Sequence, residues 1–147
     1  MHLTTFSDYT LRVLIYLALE QTELATIPVI AAAYGISENH LKKVVHQLAR
    51  AGMVETLRGK GGGIRLAVAP EKIRLGEIVR AAEGAAPIVE CLGENESACC
   101  IAPACRLSGV LVRAFGALYD VLDEYTLADI VGNRRALKQV LVHAQPG

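Results

Sequence analysis

The chain has 147 residues, 52% of them hydrophobic and no low-complexity tract, which is enough for one globular domain with one core. Fifteen basic and fifteen acidic side chains cancel, so charge on average argues against a nucleic-acid partner. The average conceals an asymmetry: between residues 38 and 65, six cations face only Glu38 and Glu55, a local +4 against −4 for the remainder. A basic segment on an otherwise acidic chain attracts phosphates locally while the rest limits non-specific adhesion.

"TFSDYTLRVLIYLALE" (5–20) carries a largely apolar helical pattern, with Thr5 or Ser7 available as a start signal. No basic region precedes its apolar run, and Asp8 and Arg12 flank or interrupt it. It reads as a core helix of a cytoplasmic protein with no membrane partner, not as a leader or a span. A second helix is expected from about Pro28 to Ala33, then a reversal at Gly35 and an N-cap at Ser37. A third occupies 38–50. At about 100° per residue, Leu41, Val44, Val45 and Leu48 share one arc of it. Asn39, Lys43, His46 and Arg50 centre on the opposite arc, with Lys42 at the edge. Alone, such a helix is more often a solvated amphipathic helix than a groove reader.

The next segment shifts that balance. "MVETLRGKGGGIRLAV" (53–68) alternates as two strands about "GKGGG", with Arg58, Lys60 and Arg65 around Gly61, Gly62 and Gly63. A phosphate-cradling Walker loop is excluded by spacing and because "IRLAV", a strand, follows. Three helices and a basic hairpin make a mainly α winged helix-turn-helix. Its third helix is expected in the major groove and its wing against the backbone or minor groove. The residues expected to contact double-stranded DNA are Ser37, Asn39, His40, Lys42, Lys43, His46, Arg58, Lys60, Gly61, Gly62 and Gly63.

A short helix over 74–84, ended by Gly84, leads to "CLGENESACCIAPAC" (91–105), which holds all four cysteines. Clustered thiols in a reducing compartment point to metal or redox chemistry rather than structural disulfides. Paired C-x2-C steps of zinc knuckles are absent, as is a thioredoxin C-x-x-C. Gaps of seven and five residues suit a loop wrapped around an iron-sulfur cluster, whose separated irons each take their own thiolate. "CRLSGVLVRAFGALYDVLDEY" then forms a helix of about five turns with Leu107, Leu111, Ala114, Leu118, Val121 and Leu122 along one side. A winged helix already has its own core, so this extra stripe is expected to dimerise. The resulting organisation is 1–84 DNA-binding region, 85–105 cluster loop, 106–132 dimerisation helix with a following short helix, and 133–147 tail.

"GKGGGIRLA", "C-x5-CRL" and "YTLADIV", in that order behind "LTTFSDYTLRVLIYLA", resemble the Rrf-type iron-sulfur winged-helix regulators over residues 1 to about 132, most of all their nitric-oxide-sensing repressors. The resemblance implies cluster ligation by Cys91, Cys99 and Cys105, with a 4Fe-4S cluster preferred and 2Fe-2S open. Cys99 is preferred to adjacent Cys100 because it keeps the five-residue gap before Cys105. Iron-sulfur-assembly regulators of the family use a histidine three residues past the last cysteine, where this chain has Ser108. It further implies an oxygen ligand from Asp8 of a partner subunit, although an acid in a first turn also serves the helix dipole. The implied function is a homodimeric repressor, not an enzyme, whose cluster senses nitric oxide and controls nitrosative-stress and detoxification genes. Two other readings stand beside it: a redox or iron-sulfur-status regulator of the same fold with a 2Fe-2S cluster, and a zinc-binding or thiol-redox module without DNA. His2, His40, His46 and His143 are scattered away from the cysteines, so no Cys–His nucleophile pair is visible.

Overall fold

A computed structural model describes residues 2–85, 87–93 and 99–143. The middle of the expected cluster loop (94–98) and the last four residues of the tail lie outside the described residues. Helices α1 (Thr5–Leu19), α2 (Ile27–Tyr34) and α3 (Glu38–Arg50) are followed by strands β1 (Val54–Leu57) and β2 (Gly63–Leu66). Then come α4 (Leu75–Glu83), the long α5 (Leu107–Asp123), the single turn α6 (Leu127–Ile130) and α7 (Arg134–His143). No helix among the described residues is long and apolar enough to cross a membrane.

The start of α1 differs from expectation. Thr4, rather than Thr5 or Ser7, is the N-cap, and its hydroxyl accepts from the Ser7 amide. Val13, Leu14, Leu17 and Ala18 of α1 are buried against Leu41, Val44, Val45 and Leu48 of α3, the four residues its periodicity marks as core. Between them, α2 begins one residue before Pro28, and Gly35 ends it in the left-handed conformation at φ 64°. Ser37 occupies the N-cap of α3, but its side chain makes no capping hydrogen bond.

The wing is a two-stranded antiparallel ribbon in which Val54 pairs with Leu66 and Leu57 with Gly63. Ala25, before α2, exchanges two backbone hydrogen bonds with Ile64, at 3.0 and 2.6 Å. A Cβ on Gly63 would meet the Ala25 carbonyl oxygen at 2.7 Å, and one on Gly62 would strike the Leu57 carbonyl. These two glycines thus serve close approach within the chain itself.

"YTLADIV" closes the core from below. Thr126 and Asp129 form a capping box for α6, and the Leu127 amide donates to the Ile73 carbonyl at 2.8 Å. Leu127 and Val131 are fully buried. α5 is different: it packs against α4 yet contains no buried residue.

Candidate DNA interface and cysteine loop

On α3, Asn39, His40, Lys42, Lys43, His46 and Arg50 are all exposed, and Ser37 is exposed just before it. Four of them line two clefts. Lys43, His46 and Arg50 line one of about 640 Å³ beside Phe6. Lys42 instead lines a cleft of about 360 Å³ that it shares with Thr56, Gly62 and Gly63 of the wing. A duplex seated on α3 would therefore meet cations on both flanks of the helix.

In the wing, Arg65 faces its register partner Glu55 and is ion-paired with it, so that cation is largely spent within the ribbon. Arg58 and Lys60 remain as the exposed cations at the tip, beside exposed Gly61, while Gly62 and Gly63 are half-buried.

Thiols gather at the other end of the sequence's logic. Cys91 lies in a one-turn 3-10 helix (Glu90–Leu92), half-buried. Cys99 and Cys100 are exposed, and the Cys99 carbonyl accepts from the Ala102 amide at 3.1 Å. Cys105, half-buried, closes a second 3-10 turn (Ala102–Ala104) two residues before α5. Ser108 donates its hydroxyl to the Cys105 carbonyl at 3.2 Å. Residues 87, 88 and 92 of the loop share a cavity of about 830 Å³ with Val112 and Phe115 of α5.

Soft thiols on short turns fit a thiolate-held cluster in donor chemistry. Among the described residues, however, no three Cys, His, Asp or Glu side chains converge as a metal-binding group. Asp8 in particular is engaged elsewhere within its own chain. Its carboxylate is ion-paired with Arg12 one turn along α1, at 2.9 Å.

The partner of Asp8, Arg12, is one that pattern reading passes over, although their i, i+4 spacing is visible in the sequence. Its guanidinium lies 6.0 Å from the Tyr9 ring centroid and 5.8 Å from that of Tyr34 at the end of α2. Burial pushes the Tyr34 hydroxyl up to about 12, against the lowering effect of Arg12, so it is neutral at physiological pH. Tyr9 in turn stands 6.0 Å from the His40 ring of α3. Asp8 thus touches, through one or two side chains, both helices of the helix-turn-helix.

α5 is clamped to α4 by Arg80, which binds Asp123 with both nitrogens at 2.9 and 2.5 Å and lies 4.6 Å over the Tyr119 ring. That hydrogen bond holds the Asp123 carboxyl below its usual range. Leu111, Phe115, Tyr119 and Leu122 are the half-buried side of α5. Leu107, Val110 and Val121 are 61%, 58% and 54% exposed, and with Ala114 they form an adjacent apolar arc facing away from the body. The expected single stripe is therefore split: Leu111 and Leu122 turn toward the body, Leu118 lies at the edge where it lines the cavity shared with α4, and Leu107, Ala114 and Val121 face outward.

The sequence pattern of the Rrf2 family, described as an iron-dependent transcriptional regulator, matches residues 3–133. The HTH-type transcriptional regulator NsrR of Bacillus subtilis (strain 168) is 50% identical over 142 residues, covering 96% of this chain and 97% of that protein. The NsrR of Bacillus licheniformis is 47% identical over 96% of this chain and 99% of its own length. Among solved structures, CymR, the global cysteine regulator of B. subtilis, superposes with a TM-score of 0.72 at 31% identity, covering 90% of this chain and 98% of that one. IscR of T. potens gives 0.71 at 28% identity over 90% and 88%. These relatives bear out the expected winged-helix fold and a role in transcription rather than catalysis.

Proposed function

This chain belongs to the Rrf2 family of transcriptional regulators, and on that premise we propose that it is a homodimeric, cytoplasmic repressor that binds promoter DNA and releases it in response to nitric oxide. The observation that carries the reading is the contrast between a sealed body with exposed cations on α3 and the wing, and an arm whose α5 buries nothing. A body of this kind holds DNA. An arm of this kind needs a partner.

Lys42, Lys43, Arg58 and Lys60 neutralise phosphates, while Ser37, Asn39, His40 and His46 lie along the surface that enters the groove. Gly61 lets the wing tip approach the backbone closely. The outward arc of α5 joins two copies and fixes the spacing of their α3 helices.

Cys91, Cys99 and Cys105 hold an iron-sulfur cluster, of the 4Fe-4S type, with Asp8 of the partner subunit supplying an oxygen. The cluster supplies reactivity toward nitric oxide. The chain's own residues turn its presence into geometry. Asp8 has two alternative partners, the other copy's loop and its own Arg12, and Arg12 reaches Tyr34 of α2. A difference of ~1–3 kcal/mol in DNA affinity between the two states is enough for a switch. Genes released from repression are those of nitric-oxide detoxification, as the motif resemblance implies.

The test is nitric-oxide titration of anaerobically isolated protein, followed by visible absorbance and DNA mobility together. Loss of the cluster absorbance in step with loss of the shifted DNA band is expected. Colourless protein carrying stoichiometric zinc, or operator binding indifferent to nitric oxide, defeats the reading. The absorbance spectrum also separates 4Fe-4S from 2Fe-2S.

A further inference from the structure

Glu83 is the last residue of α4, and the cysteine loop begins two residues later. One of its carboxylate oxygens, Oε1, accepts three hydrogen bonds from the start of α1: the Thr4 amide at 2.8 Å, the Thr4 hydroxyl at 3.1 Å and the Ser7 hydroxyl. Ser7 is fully buried, and Thr4 is the cap of the helix. Partial burial raises the Glu83 carboxyl, but the bonds from Ser7 and Thr4, aided by His2, outweigh it and leave it below its usual range. Three donors on one oxygen hold the end of α4 and the start of α1 together across more than seventy residues of sequence. Asp8 immediately follows Ser7.

We propose that Glu83 is a positioning residue that ties the first turn of α1 to the root of the cysteine loop, so that the Asp8 one protomer offers its partner is set by that protomer's own loop. The inference rests on the assignment of Asp8 as a ligand in trans. Its consequence is that the two cysteine loops of a dimer are linked. A disturbance at one loop passes through Glu83 and the Thr4–Ser7 turn to Asp8, and from there to the other loop.

Two readouts test it on the full-length protein. In the cluster-free form, Glu83→Ala raises amide hydrogen exchange at residues 5–8 by about tenfold, the loss expected for charge-assisted hydrogen bonds, while α3 exchanges as before. In the cluster-loaded form, the rate of cluster loss to an iron chelator is read by visible absorbance under anaerobic conditions. Glu83→Ala is expected to reproduce most of the acceleration caused by Asp8→Ala. The double variant is then no faster than Asp8→Ala alone, and Glu83→Gln, which keeps an accepting oxygen, restores more than half of the difference. A general loss of stability would instead accelerate both backgrounds alike. Ser7→Ala, which removes one donor, moves the same way by less and serves if Glu83→Ala fails to fold.

An unaltered chelator rate in Glu83→Ala beside an accelerated one in Asp8→Ala overturns the tether alone. Accelerations that multiply in the double variant overturn it too. An Asp8→Ala protein that keeps its cluster as the original does removes the trans assignment and the tether with it.

Discussion

The body built by α1–α4, the wing and α6 and the arm built by the cysteine loop and α5 follow opposite rules. In the body, apolar residues are sealed: Val13, Leu14, Ala18 and Ile30 of α1 and α2 are wholly inaccessible. In the arm, a 17-residue helix as apolar as α1 leaves every residue at least partly open. Hydrophobic composition is therefore shared, but only one region satisfies it within a single chain. The body carries the fold, and the arm leaves open the apolar surface and the thiols that the proposed dimer and cluster would use.

The sharpest way to break that contrast is to injure each side equally. Leu14→Ala, in the sealed core, should cost about 2–5 kcal/mol of stability by urea denaturation. Val110→Asp with Val121→Asp on the outward arc of α5 should leave secondary structure intact by circular dichroism while shifting sedimentation from dimer to monomer. If the arm pair unfolds the chain as Leu14→Ala does, the division between body and arm is wrong.

A second comparison runs within the loop. Cys105→Ala, and likewise Cys91→Ala, should abolish cluster absorbance, whereas Cys100→Ala should leave it. Loss of colour in Cys100→Ala reverses the choice of Cys99. On the body, Lys43→Ala should weaken operator binding and reduce the slope of log affinity against log salt by about one. An unchanged slope takes Lys43 out of the phosphate contacts.

The smallest effect concerns the joint between the two regions. Asp123 has a lower carboxyl pKa folded than unfolded, owing to Arg80. Its contribution is therefore present above the unfolded value of about 3.9 and lost as pH falls through the folded one. Acid titration below about pH 4 should loosen α5 from α4 in the original protein more than in Asp123→Asn. Hydrogen exchange at Leu122 and Asp123 reads it.

Much of the body was legible because its signals are local. Gly35, Ser37 and the arc of Leu41, Val44, Val45 and Leu48 fix the limits and core face of α3, and the glycine run gives the wing. The start of α1 was less so, since Thr4, Thr5 and Ser7 all offer hydroxyls, and it is the Thr4 hydroxyl that takes the Ser7 amide while Glu83 holds both residues from across the fold. The α5 stripe was visible as a stripe, but which of its edges meets the body depends on where α4 lies. Arg12 and Glu83 escaped for the same reason: a cation on Tyr34 and a carboxylate on Ser7 are facts of assembly, not of periodicity.

The paired backbone bonds between Ala25 and Ile64 carry one more implication. They root the basic ribbon in the turn that launches α2, so ribbon and helix-turn-helix share an anchor. The exposed cations Arg58 and Lys60 at the ribbon tip are thereby tied through the backbone to the start of the helix-turn-helix, and a displacement of that turn would be passed to the ribbon without a side-chain intermediary.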